Sequence, residues 1–210
     1  MVSAVWRYAV DQTGACGVIG AMREFLDFEA SSLAKASYSI EAAWVFEDGR
    51  SEAHRIRPAA GWGDWAEDAE AIHQLSRDKL RTSGTPHDEV ARQMVDELSG
   101  HDLLTTAPSW DGKWLSVLLR SAGPPRHALR LRDSEDERRS AAETILRPAV
   151  PAAELEAAIG KAIAEADECR PGWSPAHSAL ADATDERAHW LAFGSTAARI
   201  AVKASHVKPE

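Results

Sequence analysis

The sequence predicts an α/β fold, a sheet whose strands come first and whose faces are then covered by helices, and three observations carry that prediction. The apolar run REFLDFEA is followed by SYSIEAAWVFEDGRSEAHRIRP, which reads as two strands joined at Asp48-Gly49, a strong hairpin signal. Beyond Trp65 the pattern alternates between helix-period and strand-period segments, as in a sheet sandwiched by helices. The chain has 210 residues, 44% of them hydrophobic and 27% charged, enough to bury about 70% of its unfolded surface around a single core.

Taken in order, DWAEDAEAIHQL reads as helical, and TPHDEVARQMVDELSG as a helix with Thr85 as its cap, Pro86 in its first turn and Gly100 after its end. HDLLTTAP reads as a short strand, DGKWLSVLLRSAG as a helix, and HALRLRD as a further strand. Three helical stretches follow, Ser134 to Arg147, Ala152 to Arg170 and His177 to Ala198, the last with a break expected at Gly194. Residues 1–21 add little pattern, and Met22 stands directly before the first strand. The expected organisation is an N-terminal extension over 1–21, a functional domain over 22–200 and a tail over 201–210; one hypothesis is that Met22 is the true start and the extension an artefact of start-site choice, the other that 1–21 belongs to the native protein. No internal repeat is visible.

Composition excludes several classes. No run approaches the ~20 apolar residues that cross a bilayer, so no membrane partner is expected. Cys16 and Cys169 are far apart with no C-x-x-C, which suggests neither a disulfide framework nor a zinc site and favours a reducing cytoplasm. The opening has one early arginine and no convincing cleavage site, so a signal peptide is disfavoured. A formal charge of −9 argues against coating long nucleic acids through a broad basic surface. It leaves room for an enzyme that grips a few nucleotides through bound divalent cations.

The stretch EFLDFEASSL sets Asp27 and Glu29 two residues apart inside an apolar run, where each costs several kcal/mol to bury unpaired. On a strand both point to one face and Leu26 and Phe28 to the other. On a helix the same spacing separates them by about 200°. Two carboxylates this close repel unless a cation sits between them, and a hard, oxygen-preferring ion such as Mg²⁺ or Mn²⁺ is the natural partner. D-x-E also occurs at Asp68-Glu70 and Asp133-Glu135, in helical or junction context that reads as solvated surface; apolar flanks distinguish the first copy.

Asp111, in TTAPSWDGKWLSVLL, stands where a strand meets a helix. It is either a helix cap, worth about 1 kcal/mol, or a third metal ligand at the mouth of the sheet. In PAHSALADATDE, His177 and Asp182 form H-x-x-x-x-D. About half a match of that spacing is expected by chance, and His73 with Asp78 gives another, so spacing alone decides nothing. Five residues turn a helix by about 140°, so His177 must sit near a helix start, past Pro175, to share a site with Asp182.

Order adds what spacing does not. D-x-E on the first strand, an Asp opening a mid-chain helix and H-x-x-x-x-D on a late helix together resemble the DEDD exonuclease superfamily, specifically the DnaQ-like 3'-5' exonucleases of the DEDDh type, whose last motif carries histidine. The resemblance covers about Arg23 to Ala198 and includes AEAIHQLSRDKL, which is similar to the family's I-H-G-I-T stretch. It implies a ribonuclease H-like mixed sheet, three antiparallel strands then parallel strands, flanked by helices. It implies that Asp27, Glu29, Asp111 and Asp182 hold two divalent cations, Mg²⁺ or Mn²⁺, about 3.5–4 Å apart, and that His177 is the general base. An imidazole ordinarily titrates near 6.5, suited to taking a proton from water near neutral pH. The implied reaction releases nucleoside 5'-monophosphates from single-stranded DNA or RNA 3' ends, and Phe28, Ala30 and His73 are implied as substrate contacts. Dimerisation, common among relatives, is carried over as analogy. The sequence departs from the family in TAPSWD, where many members have a His-Asn-Ala run, and in IHQL, with Gln where the family has Gly; neither change removes a proposed ligand.

Trp62 and Trp65 follow the third strand and are candidates to stack on bases, which contributes about 1–3 kcal/mol per base, against the normal preference of large aromatics for burial. Arg130 and Arg132 share a strand face, either to meet phosphates or, more simply, to guard an edge strand with charge. The competing functions are a catalytically silent nucleic-acid-binding protein and a polymerase-associated proofreading subunit. The tail AVKASHVKPE, which has no apolar clamp-type peptide, lends the latter little support.

Overall fold

A computed structural model describes residues 7–10, 16–19, 22–170, 172 and 174–206. The chain forms two compact units: Arg23–Asp133 with Ser174–Arg187, and Met1–Met22 with Ser134–Trp173 and Ala188–Glu210. The elements are β1 (Arg7–Val10), β2 (Cys16–Ile19), β3 (Arg23–Ala30), β4 (Ser39–Phe46), β5 (Ser51–Arg57), α1 (Glu67–His73), α2 (Arg77–Ser83), β6 (Thr85–Pro86), α3 (His87–Leu98), β7 (Asp102–Thr105), α4 (Pro108–Ala122), β8 (Leu131–Asp133), α5 (Ser134–Leu146), α6 (Leu155–Asp167) and α7 (Ala179–His206).

The sheet runs β6-β5-β4-β3-β7-β8. Strands β3, β4 and β5 are antiparallel neighbours, β7 pairs parallel with β3, and β8 pairs parallel with β7. This is the predicted ribonuclease H-like mixed sheet. The β4–β5 hairpin closes where Asp48-Gly49 predicts: Gly49 takes φ 96°, and Asp48 Oδ1 accepts the Arg50 N–H at 2.9 Å.

Strand alternation decides which face is core. Leu26, Phe28 and Ala30 of β3 and Ala42, Trp44 and Phe46 of β4 join Ile56 in one apolar cluster. Helix α3 adds Val90, Ala91, Met94 and Leu98, and α4 adds Trp114, Leu115, Leu118 and Leu119, each set at the three- and four-residue steps of one helix face. Each large side chain so buried contributes about 1.5–3 kcal/mol. In the other unit, α5 and α6 pack together. Ala141, Ala142 and Leu146 of α5 are buried there, as are Ile159, Ala162 and Ala166 of α6.

Several local expectations are corrected. Thr85 is no cap: with Pro86 it forms β6, paired parallel with Ile56 and Arg57, and α3 begins at His87 with no side-chain cap. Helix α2 was not expected; Ser76 caps it by accepting the Lys79 N–H. It ends at Gly84, where a Cβ would come within 2.5 Å of the Leu80 carbonyl oxygen and 2.8 Å of Arg57 N, so only glycine lets helix and strand approach this closely. Of HALRLRD only the last three residues are strand. Helix α7 starts two residues after His177 and continues through Gly194 for 28 residues, because one interior glycine costs only about 1 kcal/mol. In the expected extension 1–21, β1 and β2 pair antiparallel, and the rest lies outside the described residues. Of the expected tail, Ala201 to His206 continue α7 and 207–210 lie outside the described residues. Among the described residues no helix is long and apolar enough to cross a membrane.

Candidate metal centre

The face of β3 and β4 opposite the apolar cluster carries the acids. Asp27 and Glu29 alternate with Leu26 and Phe28, so they project from the opposite face of β3. Across the ladder Asp27 stands opposite Ala43 and Glu29 opposite Glu41. The first turn of α7 brings Asp182 to the same place: one carboxylate oxygen from each of Asp27, Glu29 and Asp182 lies within 4.8 Å of the others.

Asp111 approaches from α4 and lies outside that set of three. It is buried in the helix's first turn, not at its cap, which is Ala107. Its Oδ2 accepts a hydrogen bond from Thr105 Oγ1, at the end of β7, and the same hydroxyl oxygen accepts the Ala107 N–H at 3.2 Å. Thr105 thereby ties strand end, connecting turn and acid together.

The electrostatics are those of like charges crowded into a low dielectric. Burial, then Asp111, Glu29, Asp182 and Glu41 in turn, push Asp27 from 3.8 up to about 9. Burial, then Asp182, Glu41 and Asp111, raise Glu29 from 4.5 to about 7. Burial also raises Asp111 from 3.8 to about 7, with the Thr105 hydrogen bond opposing it. Each of these four neighbours of Asp27 is itself acidic. Carboxylate oxygens at this density are the donor set of a hard divalent cation, which removes the repulsion that the protein alone leaves in place.

His177 stands in the loop before α7 with a left-handed backbone, φ 55°. It lines a pocket of about 190 Å³ together with Phe28, Glu29, Ala30, His73 and Trp114. The structure thus brings four other expected site residues beside His177. His73 ends α1 and is buried; its Nδ1 accepts the Leu75 N–H at 3.0 Å, so the ring proton sits on Nε2, which has no hydrogen-bond partner among the described residues. Burial, reinforced by nearby His177 and opposed by Glu70, lowers the His73 pKa.

Trp62 and Trp65 do not line this pocket. Trp62 stacks on Tyr38 with ring centroids 4.8 Å apart, and Trp65 donates its indole N–H to Glu70 Oε2 at 2.7 Å. Both rings are taken up by the fold. Arg130 and Arg132 are exposed beside edge strand β8, and Arg132 pairs with Asp102 at 3.3 Å, as the edge-guard reading predicts.

Sequence reasoning missed three residues. Glu41 faces Glu29 across the β3–β4 ladder, a register that the Asp48-Gly49 turn does not set, since that turn pairs β4 with β5 and places Glu41 opposite Arg55. Trp110, directly before Asp111, is the half-exposed tryptophan, stacked on Trp114 at 5.7 Å with Lys113 over its ring. Thr105 gave no signal, since nothing in the sequence says that its hydroxyl turns toward Asp111.

No family model matches the sequence, and no curated protein sequence matches it. Among solved structures the chain is similar to E. coli exonuclease I. The zinc-ion-bound form of its single-stranded DNA complex gives a TM-score of 0.57 at 17% identity, over 80% of this chain and 39% of that chain. Its complex with a dA16 oligonucleotide gives the same values. This chain therefore spans about two fifths of the length of those chains, and the likeness establishes a shared fold.

Proposed function

We propose that this protein is a metal-dependent 3'-5' exonuclease of the cytoplasm, acting on single-stranded DNA or RNA and releasing nucleoside 5'-monophosphates. The observation that carries the reading is the convergence of Asp27, Glu29 and Asp182 beside a pocket lined by His177, with Asp111 close enough to raise the Asp27 pKa. The fold supports it, because the similar exonuclease I is known bound to single-stranded DNA. The chemistry resides in Arg23–Asp133 and Ser174–Arg187, which contain all five residues.

Asp27, Glu29, Asp111 and Asp182 would hold the cations. Bound divalent ions supply charge stabilisation of the attacking and leaving oxygens and a more acidic water. His177 takes the proton of the water whose oxygen attacks phosphorus; the bond from phosphorus to the 3'-oxygen of the preceding nucleotide breaks, and that oxygen takes up a proton as the shortened strand leaves. Phe28, Ala30 and Trp114 offer an apolar wall to the terminal nucleotide. The unpartnered Nε2–H of His73 offers it a buried donor, and Trp110 an exposed ring.

The test is time-resolved degradation of 5'-labelled single-stranded DNA and RNA with Mg²⁺, Mn²⁺ or EDTA, comparing wild type with Asp27→Ala and His177→Ala. The expected result is a metal-dependent ladder shortening from the 3' end, lost in both variants. A folded protein that binds Mn²⁺ and cleaves neither substrate would overturn the reading and leave a nucleic-acid-binding role.

A further inference from the structure

Glu41 belongs to no motif of the sequence, yet its geometry ties it to the one proposed catalytic group that no strand or helix carries. It is buried on β4 directly opposite Glu29. Its Oε2 accepts the backbone N–H of Ala179 at 3.0 Å. Ala179 is the first residue of α7, so the carboxylate satisfies one of the helix's orphaned N–H groups and complements the positive end of its dipole. The other oxygen, Oε1, lies 3.7 Å from Arg55 Nε on β5, so the acid does not stand alone.

From the opposite side of the same loop, Asp182 Oδ1 accepts the Ala176 N–H at 2.7 Å. His177 lies between these two anchored amides, with φ 55°. A left-handed non-glycine residue costs about 1–2 kcal/mol and persists only where its surroundings over-determine it. Two carboxylates, one from β4 and one from α7, supply that constraint.

We propose that Glu41 is a positioning residue. It pins the first turn of α7 to β4 through the Ala179 N–H and thereby holds His177 at the angle from which the imidazole meets the attacking water. It acts as a hydrogen-bond acceptor, not as a metal ligand or a substrate contact. The proposal rests on the exonuclease reading of the site. It predicts that an amide oxygen replaces the carboxylate, whereas a role for the charge itself, within an acid cluster that already includes Asp27 and Glu29, would not survive the exchange.

The experiment compares wild type, Glu41→Ala and Glu41→Gln in two measurements: steady-state cleavage of a single-stranded oligonucleotide with Mn²⁺, and amide hydrogen exchange at Ala179 by NMR. In Glu41→Ala, kcat is expected to fall about 10²-fold with KM little changed, the cost of a misplaced base. Exchange at Ala179 is expected to rise about tenfold, the loss of one hydrogen bond. Glu41→Gln is expected to restore both. Wild-type kcat in Glu41→Ala would overturn the proposal, as would a Glu41→Gln variant that protects Ala179 and still loses kcat. Should Glu41→Ala fail to fold, Glu41→Gln alone decides, since its kcat either survives the loss of charge or does not. If wild type cleaves neither DNA nor RNA, the exonuclease reading falls, and unchanged exchange at Ala179 in Glu41→Ala would separately remove the anchor.

Discussion

Glu24 and Asp27 lie three residues apart on β3, and both are carboxyls that burial drives toward the neutral form, Glu24 to about 7 and Asp27 to about 9. Their neighbours differ. Glu24 Oε1 lies 2.6 Å from His101 Nδ1, and that hydrogen bond and charge oppose burial, with Glu47 and Asp102 pushing the other way. Asp27 is shifted chiefly by burial and then by Asp111, Glu29, Asp182 and Glu41, all in the same direction. A carboxyl buried for architecture is given a base to share its proton. Four further acids gathered around Asp27 form an arrangement that the polypeptide itself disfavours and that a cation reverses.

The largest expected effect separates these two roles. Asp27→Asn should reduce metal-dependent cleavage by 10³-fold or more, the order of effect seen when transition-state charge stabilisation is lost. It should also raise the melting temperature of the metal-free protein at pH 8, because the amide is neutral in both states and removes the cost of keeping Asp27 protonated in the folded state where the unfolded chain ionises it. Calorimetry checks the second half, and a lower melting temperature would break the comparison.

A pH series sharpens it. Asp27 holds its proton more tightly folded than unfolded, so the folded state has its advantage below about pH 4 and loses it progressively as pH climbs from 3.8 through about 9. The metal-free melting temperature should therefore fall between pH 5 and pH 9. Added Mn²⁺ should raise it most at the alkaline end, and Asp27→Asn should flatten the curve.

At the other end of β3, His101→Ala strands the wholly buried Glu24 and should cost about 2 kcal/mol at pH 7, a drop of about 4–8 °C for a chain this size. Specific activity of the folded fraction should not change. An activity loss without destabilisation would place Glu24 in the site instead.

The smallest effect belongs to Thr105→Val, which keeps the shape but removes the hydroxyl that donates to Asp111. Loss of one charge-assisted bond, about 1.5–3 kcal/mol at most, should raise the Asp111 pKa and weaken Mn²⁺ binding about tenfold. Titration calorimetry reads this directly, and cleavage should recover at saturating Mn²⁺.

Much of this was legible in the sequence because it depends on local rules. REFLDFEA, SIEAAWVF and the Asp48-Gly49 turn specify their strands through period, apolar content and turn chemistry. The same period states that Asp27 and Glu29 share a face. Legibility failed where partners distant in sequence decide the outcome. Thr85 has the chemistry of a cap, yet pairing with Ile56 takes it into the sheet. Trp62 and Trp65 have the chemistry of a stacking platform, yet Tyr38 and Glu70 engage them, while Trp110 remains exposed beside Asp111.

By itself the sequence determined the leading strands, the Asp48-Gly49 turn and the common face of two carboxylates, because periodicity and turn signals act between residues close along the chain; the mixed sheet was what the family resemblance implied. Only the tertiary structure decided that Asp182 meets them, that Thr105 holds Asp111, that Glu41 and Asp182 anchor the loop of His177, and that Glu24 has His101 beside it while acids crowd Asp27. Those facts depend on how separate elements pack, with partners as far apart along the chain as Glu41 and Ala179, and on which way a hydroxyl such as that of Thr105 turns, neither of which spacing along the chain encodes.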